Sequence, residues 1–283
     1  MLINKKTEIH GHRGCRGYFP ENTLPGFLHA IDLNVDAIEL DVVITKDHKV
    51  VVSHEPFMHH KKCLWPNLNP ISKAEQENLY LYQMNYHDIK SFDCGIISHP
   101  DYPLAKSMKA HKPALDEVIE AVENKLKLQE ISLKYNIEIK SEQTQIGYGQ
   151  PDYKTFTDLV LNVINNYNIS ERTIIQSFDK EILRCVAQAD KKIPLSLLIE
   201  DDMEPQLHIK ELGFKPHILA SDYIFLNEKS IKGLQQQEIK VYAFTVNKLD
   251  DIQKMLDINV DAIITDYPDV AILARNSYKN PEK

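Results

Sequence analysis

Glu39 and Asp41 lie two residues apart inside the apolar run Ala37-Ile38-Glu39-Leu40-Asp41-Val42-Val43-Ile44. Residues two apart on a strand share a face, so both acids point one way while Ile38 and Leu40 point the other. The flanking apolar residues argue for a strand buried on both faces, where two carboxylates repel and lose hydration. A bound divalent cation removes that cost; the alternative is an edge strand with solvated acids. Glu138 and Lys140 repeat the spacing in Tyr135-Asn136-Ile137-Glu138-Ile139-Lys140. They offer a third oxygen donor and a positive charge for a phosphate or for the carboxylates themselves. A plain Glu–Lys pair on a half-exposed strand is the competing reading. Three carboxylates without a cysteine ligand suit a hard ion, Mg2+ or Ca2+, better than zinc.

His12-Arg13-Gly14 follows directly on an apolar first strand, and His54 closes the run Val50-Val51-Val52-Ser53-His54. An imidazole transfers protons near neutral pH, and a guanidinium offers a planar fork to phosphate oxygens. Alone, either segment is an ordinary turn or strand end. Their position matters more, because they and the acids fall at or near strand C-termini, where parallel barrels assemble active sites. Two histidines supply an acid and base pair. A cation, Arg13 and Lys140 would neutralise charge developing on a phosphate. The set reads as phosphoryl chemistry.

To hold these groups together the chain needs parallel strands. Short apolar runs alternate with amphipathic stretches through most of the length, which favours βαβ units over a sandwich. Strands are expected near Glu8–His12, Asp36–Ile44, Val50–His54, Asn136–Lys140, Thr173–Ser177, Pro194–Ile199, His217–Ser221, Val241–Val246 and Ala262–Thr265. Helices are expected at about Thr23–Leu33, Ala114–Glu123, Tyr153–Asn166, Lys180–Gln188, Glu228–Gln237 and Leu249–Leu256, from apolar residues at three- and four-residue intervals. These are nine candidate strands for an eight-stranded barrel, so one is extra or lies outside the ring. From Phe57 to about Lys112 the alternation stops. A stretch this long is expected to form a small inserted subdomain after the third strand, capping one side of the site. The expected fold is therefore α/β, a TIM-type (β/α)8 barrel forming a single domain over 1–283, with an insertion at about 57–112.

A chain of 283 residues can bury a sizeable core without staples. The net charge of −8 argues against a nucleic-acid partner. The sequence contains no apolar run of about 18 residues, so no membrane span is expected. Cys15, Cys63, Cys94 and Cys185 show no metal-site spacing, and four free thiols in a reducing compartment are expected. The short polar stretch Met1–Glu8 carries no secretory pattern, which gives a cytoplasmic expectation, or a periplasmic one for a trimmed mature chain.

The motifs resemble those of the glycerophosphodiester phosphodiesterase family. His12-Arg13-Gly14, Pro20-Glu21-Asn22-Thr23, Glu39-Leu40-Asp41-Val42, Thr45-Lys46-Asp47 and Val51-Val52-Ser53-His54 follow its N-terminal signature in order. Pro113-Ala114-Leu115, Glu117-Val118, Glu138-Ile139-Lys140, Ser177-Phe178, Thr245-Val246-Asn247 and Thr265-Asp266-Tyr267-Pro268 extend the likeness from about residue 8 to 270. The resemblance implies a TIM-type barrel that hydrolyses a small-molecule glycerophosphodiester to glycerol 3-phosphate and an alcohol. It implies one divalent cation, Mg2+ or Ca2+, on Glu39, Asp41 and Glu138. His12 and His54 would be acid and base, with Arg13 and Lys140 on the phosphate. A phosphodiesterase acting on lysophospholipid headgroups, or a silent phosphodiester binder, is the alternative on the same scaffold.

Three positions depart from the family's usual pattern. Glu55 follows His54 where Asp is common, His48 follows Asp47 where Gly is common, and Phe244 stands where Trp is common. Phe244 reshapes an apolar wall of the pocket. Gln176 and Phe178 are further lining candidates, Phe178 as an apolar face for the glycerol. Asn247 is expected to cap the next helix, His59-His60-Lys61-Lys62 to be a solvated loop, Asp201-Asp202 to start a helix, and Trp65 to pack the insertion.

Overall fold

The computed structural model describes residues 6–278; Met1–Lys5, part of the stretch behind the compartment expectation, lie outside the described residues. The strands are β1 (Glu8–Gly11), β2 (Ala37–Ile44), β3 (Val50–Val52), β4 (Lys134–Ile139), β5 (Thr173–Ser177), β6 (Leu195–Ile199), β7 (Ile218–Asp222), β8 (Lys240–Phe244) and β9 (Ala262–Thr265). All but β3 pair in parallel in the order β1-β2-β4-β5-β6-β7-β8-β9, and β9 returns to β1 with Ala262 opposite Glu8. This is a closed TIM-type barrel. The extra strand is β3, antiparallel to β2 with Val52 opposite Val42. β1 ends at Gly11, opposite Ile38, so β2 outruns it and leaves an upper edge for β3.

The helices are α1 (Leu24–Asp32), α2 (Lys73–Gln76), α3 (Tyr86–Ile89), α4 (Leu115–Gln129), α5 (Tyr153–Asn166), α6 (Lys180–Ala189), α7 (Pro205–Leu212), α8 (Glu228–Gln235), α9 (Leu249–Asp257) and α10 (Pro268–Ser277). Their apolar faces pack on the outward side chains of the strands, such as Ile38, Leu40 and Val42, in the main core. Asp152 and Asp179 start α5 and α6 by accepting from Thr155 N and Glu181 N. A helix was expected to start at Asp201-Asp202, but α7 begins at Pro205 with both acids ahead of its first turn, and α10 was not expected. Each opens on a proline, which breaks a helix interior but suits a first turn, where its missing N–H is not needed. None of these helices is long and apolar enough to cross a membrane.

Between β3 and α4, the short helices α2 and α3 surround a second apolar cluster that includes Met58, Ile71, Leu81, Ile89 and Phe92. Val43 and Val51, at the upper rim of the barrel, join that cluster and anchor it. Trp65 lies against Phe92 with ring centroids 5.2 Å apart. Cys63 and Cys94 form a disulfide, which corrects the expectation of four free thiols. Antiparallel pairing of Leu64 with Asp93 brings the two cysteines side by side. The compartment reading built on four thiols loses that premise.

Candidate active site

Strand β2 turns Glu39 and Asp41 into the barrel lumen near its upper end. The register sets Asp41 opposite Glu138, and Glu138 opposite Gln176 on β5. One oxygen from each of Glu39, Asp41 and Glu138 lies within 4.8 Å of the others, and all three residues are buried. Burial, with Asp41 and Glu138 adding like charge, holds the Glu39 carboxyl well above its ordinary range. Burial likewise raises Glu138 to about 7, with Asp41 adding to it and Lys140 opposing. Burial would raise Asp41 too, but Arg13, His54 and Lys140 outweigh it and keep that group low. Two of the three carboxyls are held above their ordinary range and all offer hard oxygen donors, so the cluster fits a divalent cation of the Mg2+ or Ca2+ kind.

Protein contacts orient these acids. Glu39 Oε2 accepts from the Arg13 backbone N–H at 2.9 Å, and Glu39 Oε1 accepts from Gln176 Nε2 at 3.0 Å. Arg13 lies in the left-handed region (φ 49°), followed by Gly14 (φ 85°), and this turn aims the N–H at Glu39. A Cβ on Gly14 would fall 2.8 Å from the Gly26 backbone, so the third residue of His12-Arg13-Gly14 must be glycine. Asp41 Oδ2 accepts from Asn22 Nδ2 at 2.8 Å and lies 3.3 Å from Arg13 Nε. Lys140 Nζ donates to Glu138 Oε1 at 2.7 Å.

His12, just beyond β1, has Nδ1 2.6 Å from Asp266 Oδ1 and Nε2 4.0 Å from Glu39 Oε2. A carboxylate accepts, so Nδ1 carries the proton and the Nε2 lone pair is free. Burial pushes the imidazole down to about 4 despite Asp266, with Arg16 and Arg13 acting alongside burial. His54 Nδ1 lies 3.1 Å from Glu55 Oε1, which also accepts from Lys62 Nζ at 2.6 Å. His12, Arg13, Glu39, His54, Glu138, Lys140, Gln176, Phe178 and Phe244 all line one cavity of about 630 Å³, counting the part open to solvent. Asp41 stands behind them in the carboxylate cluster. Phe178 and Phe244 meet edge to face at 6.1 Å and form one wall.

The glycerophosphoryl diester phosphodiesterase family model matches residues 12–270 of this sequence. The chain belongs to that family. It is an enzyme of the phosphodiesterase class. A glycerophosphodiester phosphodiesterase of Bacillus altitudinis is 28% identical over 277 residues, covering 96% of this chain and 100% of its own. A crystal structure of a Silicibacter pomeroyi protein has TM-score 0.86 at 23% identity, covering 97% of this chain and 94% of its own. An Oleispira antarctica phosphodiesterase solved with its product sn-glycerol-3-phosphate has TM-score 0.75 at 19% identity, covering 96% and 98%. At these identities the two structures speak for the fold.

In this member of the family, several residues at the site escaped the reading of the sequence. Arg16 reaches Asp266 through Nε (2.9 Å) and Nη2 (3.0 Å). Asp266 and Asn22 were visible as parts of matched motifs but carried no role. Asn247 corrects the capping expectation: its side chain donates to Asp266 Oδ2 at 2.7 Å and accepts from Asp266 N at 2.9 Å, while Lys248 occupies the cap of α9. Lys62 corrects the solvated-loop expectation, because it bridges Glu21 and Glu55 at 2.6 Å each. Asp201 precedes α7 and accepts from His208 Nε2 at 2.9 Å.

Proposed function

We propose that the chain hydrolyses glycerophosphodiesters to glycerol 3-phosphate and an alcohol, working as one domain whose 57–112 insertion walls one side of the site. The observation that carries this reading is the meeting, around one cavity, of three buried carboxylates, two histidines, Arg13 and Lys140. Glu39, Asp41 and Glu138 hold a divalent cation, Mg2+ or Ca2+, which supplies Lewis-acid stabilisation of phosphoryl charge when bound. Arg13 and Lys140 give up part of their hold on Glu21, Asp41 and Glu138 and face the phosphate oxygens. Gln176 orients Glu39, while Phe178 and Phe244 shape the apolar side where the glycerol lies.

His12 is the base. It is neutral at pH 7, Asp266 holds its Nδ1 proton, and Nε2 takes the proton of the attacking hydroxyl as that oxygen bonds to phosphorus. His54, paired with Glu55, is the acid and protonates the alcohol oxygen as its bond to phosphorus breaks. Phosphorus NMR of a glycerophosphocholine digest tests the direction of cleavage. Glycerol 3-phosphate with free choline is expected; phosphocholine with free glycerol would overturn the reading.

A further inference from the structure

The described residues contain a second recess beside the site, of about 450 Å³ counting the part open to solvent. Arg16 lines both spaces, so the two adjoin. The recess is walled by the insertion. Tyr102 packs beneath the Arg16 guanidinium at 4.6 Å and donates to Asp266 Oδ2 at 3.2 Å, so its wall is tied to the carboxylate that holds His12. Phe178 and Phe244 do not line it.

The charges around this recess are unequal. Arg16 is offset by Asp266, and Lys62 by Glu21 and Glu55. Among the described residues Lys61 and Lys106 have no acidic partner; Lys106 Nζ lies over the Phe19 ring at 4.8 Å. Glu21 is the sole carboxylate of the lining, and it is already shared by Arg13, Arg16 and Lys62. A recess with two unpaired ammonium groups and no spare carboxylate attracts negative charge and repels a quaternary amine.

We infer that this recess is the subsite for the leaving alcohol and selects an alcohol that carries its own anionic group, a phosphate or a carboxylate. The inference rests on the reading of the main cavity as a glycerophosphodiester site. With the uncharged glycerol against Phe178 and Phe244 and the phosphate at the cation cluster, the alcohol extends past Arg16 into the recess.

The test compares kcat/KM for diesters of glycerol 3-phosphate with choline, glycerol, glycerate and glycerol phosphate, alongside lysophosphatidylcholine, at low and high salt. The parent and the Lys61→Gln/Lys106→Gln double variant are assayed with glycerophosphoglycerol as internal reference. The parent is expected to prefer the anionic alcohols over choline by about tenfold at low salt, with the preference shrinking as salt screens it. The double variant is expected to lose most of that preference. The glycerate and glycerol phosphate arms show which anion is favoured. Equal or better use of choline, a preference that the double variant keeps in full, or a clear preference for the lysolipid overturns the inference while leaving phosphodiester cleavage standing. Turnover of none of these compounds overturns the underlying reading and the inference together.

Discussion

Gln176 Nε2 donates to Glu39 Oε1 at 3.0 Å, and Gln176 Oε1 in turn accepts from Asn136 Nδ2 at 3.0 Å. Both amides are buried, Gln176 opposite Glu138 and Asn136 opposite Glu39 in the strand register. Gln176 thus fixes the rotation of a carboxylate that is otherwise held by the Arg13 backbone. Replacing it with leucine removes that donor and leaves Asn136 partly unpaired. Divalent-cation affinity of Gln176→Leu is expected to fall by about 10- to 100-fold, as read by titration calorimetry. An unchanged affinity would show that Gln176 only fills space.

Asp266 collects His12, Arg16, Asn247 and Tyr102 on one carboxylate. Asp266→Asn keeps the shape but removes the charge and lets the imidazole bind in the wrong tautomer. A loss in kcat of the order of 10²- to 10⁴-fold is expected from steady-state assay. A loss of only a few-fold would mean that His12 needs no orienting partner.

Two carboxyls with raised pKa values make the ion-free protein sensitive to pH. A group whose folded pKa is raised binds more protons folded than unfolded, so its contribution to stability is lost as pH rises. For Glu138 that window runs from about 4.5 to about 7, and Glu39 acts in the same direction. Glu8, below the barrel, works oppositely and in another range. Burial would raise it, but His10 and Lys134 outweigh that and lower it to about 2, so its contribution is lost only as pH falls from about 4.5. His12, buried and held down to about 4, works against this up to about 6.5, so in EDTA Tm is expected to fall with rising pH chiefly between about 6.5 and 8, and added cation is expected to restore more at the upper end. Cation binding should release protons, seen as a buffer-dependent calorimetric heat. A chelated protein whose Tm climbs steadily over this range would contradict the charge assignment.

The disulfide predicts a thiol count. Without reductant, denatured protein should react at Cys15 and Cys185 alone, and all four cysteines should react after reduction. Cys63→Ser is expected to cost about 2–4 kcal/mol in denaturant unfolding. Four reactive thiols before reduction would remove the cross-link from the account.

What could be read from the sequence was local. Period-two spacing put Glu39 with Asp41, and Glu138 with Lys140, on shared faces, and the register then brought β2 and β4 together as neighbours. His12 was legible as the exit of a parallel strand, whereas His54 follows β3, which runs antiparallel to β2 outside the ring, so the strand-end argument does not account for its place. Contacts made by closing the ring were not. Asp266 meets His12 across 254 residues, and no periodicity connects them. Asn247 became a site residue only through Asp266, and Arg16 through that contact and its place on the cavity lining. Lys62 looked solvated because its partners Glu21 and Glu55 come from different loops. The Cys63–Cys94 pairing rests on a strand-like bridge within a stretch that lacks periodicity.

The most direct measurement is release of glycerol 3-phosphate from glycerophosphodiesters by the parent and by His12→Ala, with Mg2+ or Ca2+, after EDTA, and after metal is restored. Turnover that needs the metal, returns on its restoration and drops by about 10²- to 10⁴-fold in His12→Ala is the predicted result. Turnover indifferent to EDTA, or within a few-fold of the parent in His12→Ala, would contradict the assignment of the carboxylate cluster or of the base.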